Sequence, residues 1–518
     1  MNTLPVTTFA AIDVGSNNIT MKIYELTKKN GLHELEAIKH TLELGSDTYT
    51  HGSISYPVIQ ELIQTLEKFS SKLKEYDVSD YTACATSGLR EAKNGAFIID
   101  QIRLRTGLDI NVLSNSEQRF LCYKALSFFE SPFHKMIQKN TAVVDVSSGS
   151  IQISLFQHNV LQSTQNIKLG SLRIREILSD SMKETLNYTN LLHEYIDYDL
   201  TTYETLFLPN TKIRHMICFG EQLNELIRLA KKLSFGETIE AERYTNAYQS
   251  LMKKGIDACS KELNLSKEQT SLLLPTAIIF EKLLTKTKAG DIYFSNTSLC
   301  DGLAVDYAMK KGKLLIPHNF EDDIIEISRN IARRYHCDES HITNVESIAL
   351  TIFDSMKKLH GLEKRERLYL QIAVILHSCG EFINMNHVEA NSYHIIMSTE
   401  IIGLSHKERL LVANLVRYKA STFPNLSSFD PAISPASYLM IAKLTAILRL
   451  ANALDKSHKQ KLKTISCHLK CNEQGTQLLI ETESFENITL EKGLFSKKAD
   501  FFEEVFGVRP ILKQKRSL

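Results

Sequence analysis

The chain has 518 residues, 43% of them hydrophobic and 23% charged, which is longer than one hydrophobic core grows and unlike a disordered, collagenous or membrane composition. Its 61 basic and 60 acidic residues leave a formal net charge of +1, so global electrostatics favours neither nucleic acid nor a membrane surface, and any anion specificity is local. The opening MNTLPVTTFAAIDVGS lacks the basic stretch and long apolar run of a signal peptide, and we expect a soluble, cytoplasmic protein of two to four domains with no membrane span and no specific nucleic-acid partner.

From Phe9, the runs FAAIDVGS, NITMKIYEL and LHELEAIKHTLEL are β-type stretches broken by short polar turns, and they predict an antiparallel meander. Apolar residues at Ile59, Leu62, Ile63, Leu66 and Phe69 then predict a helix over 56–76. YTACATSG reads as a strand, a helix follows from about Asn94, DINVLS is a short strand, and a helix is expected from about Ser116 to Phe129. A meander followed by alternating helices and strands indicates an α/β architecture. The opening then returns as TAVVDVSSGSIQISLF, with Asp145 placed 132 residues after Asp13. Both copies read apolar strand, Asp, tight polar turn, second strand, which is an internal duplication.

Beyond Pro317 the texture becomes helical, as in Ile342, Val345, Ile348, Ile352, Met356 and Leu359, and the main boundary is expected near residue 315. ISCHLKCNEQGTQLLIETE predicts a β-hairpin turning around Gly475, and the final KQKRSL reads as frayed. The nine cysteines include no CxxC. The closest pair, Cys467 and Cys471, falls in an alternating stretch, so small apolar residues on a strand face are expected and the cysteines are assigned no chemistry.

DVGSNN and DVSSGS are turns of small polar residues whose backbone N–H groups and hydroxyls suit phosphate oxygens. Asp13 and Asp145, at the ends of apolar strands, suit a hard divalent cation held between them. An isolated DxGS is more often an Asp capping its own turn. Two copies in the same strand context outweigh that simpler explanation.

AAIDVGSNNITMKIYEL resembles the opening of the Ppx/GppA family of exopolyphosphatases and guanosine pentaphosphatases, an AxDLGSNS pattern followed by a strand. CATSGLREAKNG, TGLDINVLSNSEQRFLCY and VVDVSSGS are similar to its ATSALREAxNG, TGxxIEVISGxEEARLIY and DIGGGSTE segments, and KLGSLRIRE, ICFGEQ and SNTSLCDGLAVDYA follow in the family's order. The resemblance implies a duplicated actin-like (ribonuclease H-like) core, with lobes 1–128 and 129–312, then a mostly α-helical HD-like domain 313–457 and a small α+β tail 458–518. It implies hydrolysis of a terminal phosphoanhydride of polyphosphate or a phosphorylated guanine nucleotide by Mg²⁺-assisted attack of water, and is compatible with a homodimer. Asp13 and Asp145 would hold the metal, and Ser16, Asn17, Ser147, Ser148, Gly149 and Ser150 the phosphates, with Arg90 as the family's phosphate-gripping arginine.

The pattern is broken at telling positions. The family's catalytic-base glutamate falls on Gln118, with Glu117 the neighbouring carboxylate, and the glutamate of the GGGSTE loop falls on Gln152. A glutamine orients water but cannot take its proton, and loss of a general base costs roughly 10²- to 10⁴-fold in rate. The alternative expectation is therefore a catalytically impaired, phosphate-binding pseudoenzyme. In the helical half, His341 and His377 match the HD pattern, but Ser378 and Asn391 stand where it has further ligands. No metal is expected there, and the two histidines are expected to be packed and hydrogen-bonded within the helices. Arg417 and Lys419 fit equally a basic path for a polyanion and a solvated helix face.

Overall fold

The computed structural model describes residues 7–514 apart from 28–30, 180–187, 209–211, 231–232, 256–257, 259–260, 263 and 473–474. The chain divides into two compact units, Met1–Asp323 and Ile324–Leu518. The division falls later than residue 315 for a physical reason. Lys313 Nζ donates to Thr7 Oγ1 at 2.5 Å, and the Asp323 carboxylate accepts from Leu161 N at 3.0 Å and bonds His318 Nε2 at 2.6 Å, so residues 313–323 are tied to the first unit.

The first unit contains two sheets. One is built from β1 (Thr7–Val14), β2 (Asn18–Thr27), β3 (Gly31–Thr41), β4 (Asp80–Ala85) and β5 (Ile110–Val112) in the order β3-β2-β1-β4-β5. The other is built from β6 (Thr141–Val146), β7 (Ile151–Gln157), β8 (Val160–Ile167), β9 (His215–Phe219), β10 (Thr238–Glu240) and β11 (Asp291–Phe294) in the order β10-β11-β9-β6-β7-β8. The duplication read in the sequence is therefore structural. Each copy opens with an antiparallel meander whose first strand also pairs in parallel with a later strand, β1 with β4 and β6 with β9. Asp13 faces Thr20 and Cys84 across that first strand, and Asp145 faces Gln152 and Phe219.

Alternation explains the cores. Ala10, Ile12 and Val14 of β1 pack with Leu62, Ile63 and Leu66 of helix Tyr56–Glu75, and Ala142, Val144 and Val146 of β6 pack with Ile278, Ile279 and Leu283 of helix Lys267–Thr287. Every second side chain of each strand thus enters an apolar layer.

The second unit is mostly helical and ends in a sheet of β12 (Ile465–Asn472), β13 (Gly475–Thr482) and β14 (Arg509–Gln514), ordered β12-β13-β14. The expected hairpin is β12–β13. Lys513 and Gln514, expected to fray, belong to β14, while 515–518 lie outside the described residues. His458, expected to open a separate tail, stacks on His341 with ring centroids 3.7 Å apart. Among the described residues no helix is long and apolar enough to cross a membrane.

Candidate active site

The two polar turns close alike, Gly15 N donating to Asn18 O at 2.9 Å and Ser147 N to Ser150 O at 3.0 Å. They also meet. A Cβ on Gly149 would lie 2.3 Å from the Tyr49 hydroxyl and 2.4 Å from Ser87 Oγ, so only glycine lets the second turn approach the first lobe this closely. Arg173 clasps the two lobes, donating from Nε to Gly149 O at 2.7 Å and from a terminal nitrogen to both Glu91 oxygens at 2.8 and 2.9 Å.

Between the turns lies a cavity of about 340 Å³ whose lining includes Asp13, Asn18, Gln118, Asp145, Ser147 and Glu221. Asp13 and Asp145 thus share one chamber. Burial, then the charges of Glu221 and Asp145, push the Asp13 carboxyl up to about 8. Asp145 is pushed up to about 7 by burial and Glu221, against a 2.9 Å hydrogen bond from Ser147 Oγ and the Arg119 charge. Glu221 is raised by burial, opposed by a hydrogen bond from Ser148 Oγ and by Lys39, which also lines the chamber.

Glu221 has no counterpart among the residues singled out in the sequence, although it lies in ICFGEQ at the end of an apolar strand. Gly220 makes its placement possible. With φ +145° and a hypothetical Cβ only 2.3 Å from Val146 O, Gly220 lets β9 turn tightly beside β6 and deliver the next side chain between the two polar turns. The readable signal was a third apolar strand ending in Gly-acid.

Several expected site residues do not line this cavity. Ser16, Asn17, Arg90, Glu117, Ser148, Gly149 and Ser150 are not part of the cavity lining. Ser16 Oγ instead bonds the Tyr49 hydroxyl and Ser87 Oγ, each at 2.8 Å. Asn18, the first residue of β2, faces the chamber in its place, followed at the strand period by Thr20 and Lys22. Arg90 donates to Leu113 O at 2.5 Å and to Asn115 Oδ1, which places its guanidinium on the 113–115 loop and not on the chamber. The Glu117 carboxylate accepts from Ser114 N at 2.9 Å and Ser114 Oγ at 2.7 Å, a capping box that consumes it as a helix cap. Gln118, one residue on, faces the chamber. Gln152 Oε1 accepts from Nε of the buried Arg119 at 2.9 Å, and the Arg119 charge acts on Asp145.

Comparison with known proteins settles the family. The model of the Ppx/GppA phosphatase family matches residues 23–311, and that of Ppx/GppA phosphatase domain III matches residues 326–497. The chain belongs to the Ppx/GppA phosphatase family. The first match begins within β2, so Asp13 is tied to the site by the duplication and the shared cavity. Among solved structures, the chain is similar to an exopolyphosphatase from Cytophaga hutchinsonii ATCC 33406, with 19% identity over 59% of this chain and 98% of that one and a TM-score of 0.51. An exopolyphosphatase-like protein matches with 19% identity over 59% and 99% at a TM-score of 0.50. An Aquifex aeolicus Ppx/GppA family member matches with 17% identity over 59% and 99% at 0.48. The first two show the fold, an actin-like core of duplicated lobes, and the helical unit is the family's domain III.

In that helical unit His341 Nδ1 bonds Asp455 Oδ2 at 2.8 Å, its Nε2 lies 3.2 Å from Asn452 Oδ1, and His377 Nδ1 donates to Val374 O at 2.6 Å. Lys419 is buried, its ammonium donating to His377 O at 2.6 Å. It therefore forms neither a surface basic path nor a solvated face. Arg417 lies 5.0 Å from the Tyr393 ring centroid.

Proposed function

We propose that the chamber hydrolyses the terminal phosphoanhydride of inorganic polyphosphate, guanosine pentaphosphate or both, with Mg²⁺ held by Asp13 and Asp145. One observation carries this reading. Asp13 Oδ1 and Asn18 Nδ2 are both buried without a hydrogen-bond partner on residues that line the same chamber, an acceptor suited to a cation beside a donor suited to an anion. Among the described residues no group of three or more His, Cys, Asp and Glu side chains is arranged to hold a metal. Mg²⁺ is commonly held by one or two carboxylates with phosphate oxygens and waters completing its shell, and Asp13 and Asp145 line the chamber as two such carboxylates. When bound, the ion would neutralise phosphate charge and polarise the scissile phosphoryl group.

The protein's own part is to position and to move a proton. Asn18, whose Nδ2 has no partner, and Thr297 line the chamber as neutral donors for phosphate oxygens. Gln118 orients the water, and Glu221, the carboxylate supplied from β9, accepts its proton in place of the base that the family pattern puts at position 118. Ser148 holds one Glu221 oxygen, which fixes the direction of the other.

The pseudoenzyme reading is favoured by Gln118 and Gln152 and shares the same chamber. Phosphate release from both substrates by the full chain, wild type against Glu221→Gln, separates the two. Turnover that needs Mg²⁺ and falls roughly 10²- to 10⁴-fold in the variant supports hydrolysis with Glu221 as base. Mg²⁺-dependent binding with no turnover establishes the pseudoenzyme.

A further inference from the structure

Two cysteines far apart in sequence meet in the second unit. Cys337 and Cys379 are separated by 42 positions, and their sulfurs lie 3.6 Å apart. Both backbones are pinned. Cys337 follows helix Phe320–Arg334, its N–H donating to Ala332 O at 3.0 Å after His336 turns the chain with φ +53°. Cys379 opens the 3-10 turn Cys379–Phe382, where Gly380 N donates to Ser392 Oγ at 2.8 Å and a Cβ on Gly380 would stand 2.1 Å from Val388 O. The thiols face each other because the chain around them has little room to move, and a disulfide needs only about 1.5 Å of closure to reach a covalent distance of about 2.05 Å.

The pair is asymmetric. Cys337 is half-buried and Cys379 fully buried. The hydrogen bond with Cys379, then that with Ser378, and the Lys419 charge hold the Cys337 thiol below its ordinary range, against burial and the Glu381 charge. Its bond to Cys337 and burial push Cys379 well above. The other described cysteines differ. Cys84, Cys122, Cys218 and Cys300 are buried and pushed well above the ordinary thiol range by desolvation, Cys467 is pushed up to about 12, and Cys471 is exposed with a hydroxyl, that of Thr476, as its neighbour. Among the described residues only Cys337 joins access, thiolate character and a partner thiol, the combination found at redox-sensing cysteines.

We propose that Cys337 and Cys379 form a peroxide-oxidisable dithiol, with Cys337 the attacking sulfur and Cys379 the resolving one. Cys337 sulfur attacks a peroxide oxygen, the O–O bond breaks, and a sulfenic acid and one water form. Cys379 sulfur then attacks Cys337 sulfur, the S–O bond breaks, and a second water leaves with the Cys379 proton. Two thiols are oxidised by two electrons in total and one peroxide is reduced. The product bond joins the segment entering helix Glu339–Ser355 to the turn that follows helix Lys364–Leu376, the helices that carry or precede His341 and His377.

The test treats the reduced full chain with hydrogen peroxide and maps its peptides by mass spectrometry. The expected product is lighter by two hydrogens, carries one link between the Cys337 and Cys379 peptides, and returns to the dithiol with dithiothreitol. In Cys379→Ser, Cys337 is expected to be trapped as sulfenic acid by a 1,3-dione reagent at least about tenfold faster than Cys471. In Cys337→Ser, Cys379 is expected to remain reduced, and Cys471→Ser is expected to form the link as wild type does. Absence of the link at full oxidation of Cys471, or trapping at Cys471 ahead of Cys337, overturns the proposal.

Discussion

Asp13→Asn is expected to stabilise the metal-free protein while removing its function. Asp13 is pushed from 3.8 to about 8 in the folded chain, so folding binds a proton there and the carboxylate burdens the native state. Because the folded value is the higher one, stability of the metal-free protein falls as pH rises from about 4 to about 8. Linkage over that interval gives on the order of 4 kcal/mol of cost at pH 7, shrinking to about 2 kcal/mol at pH 5. An asparagine cannot ionise but leaves a buried amide, which returns about half of the gain. At about 2 °C per kcal/mol for a unit of this size, Tm in EDTA should rise by about 4 °C at pH 7 and by no more than about 2 °C at pH 5. Differential scanning calorimetry of the full chain at the two pH values measures both. An equal shift at both, or a lower Tm at pH 7, would refute the claim that a desolvated carboxylate stands unpartnered in the chamber.

Three further outcomes follow from the geometry. Gly149→Ala should destabilise the first unit by about 1–3 kcal/mol and lower phosphate release, since its methyl collides with Tyr49 and Ser87; unchanged Tm and activity would show that the second turn does not press against Tyr49 and Ser87. Arg90→Ala should cost about 1.5–3 kcal/mol in urea unfolding through loss of the bonds to Leu113 and Asn115, yet leave polyphosphate affinity within about twofold; a large affinity loss with unchanged stability would return Arg90 to the phosphate. Gln118→Glu in the Glu221→Gln background should restore part of the lost rate, because it puts a carboxylate back on the chamber wall; no gain in kcat would count against relocation of the base.

The duplicated core was legible because its signals are local. Strand alternation, and a turn whose i to i+3 hydrogen bond recurs in both copies, place Asp13 and Asp145 at equivalent strand ends without knowledge of tertiary structure. Direction within the turns was less legible. Whether Asn18 or Ser16 faces the chamber depends on Tyr49 and Ser87, which arrive from elsewhere in the chain. Glu117 was readable in a different sense, since Ser114 and Glu117 carry capping-box spacing, and a carboxylate used as a cap is not a base. Glu221 reaches the chamber only because β9 lies beside β6, and the Cys337–Cys379 contact depends on helix packing across 42 positions. Neither adjacency leaves a periodic trace.

Calorimetric titration of polyphosphate into the full chain, with Mg²⁺ and with EDTA, tests the paired-aspartate chamber most directly. Binding that requires Mg²⁺ and is lost in Asp145→Asn is the expected result. Binding of equal strength in EDTA, or in the variant, would contradict the assignment of Asp13 and Asp145 to a shared cation.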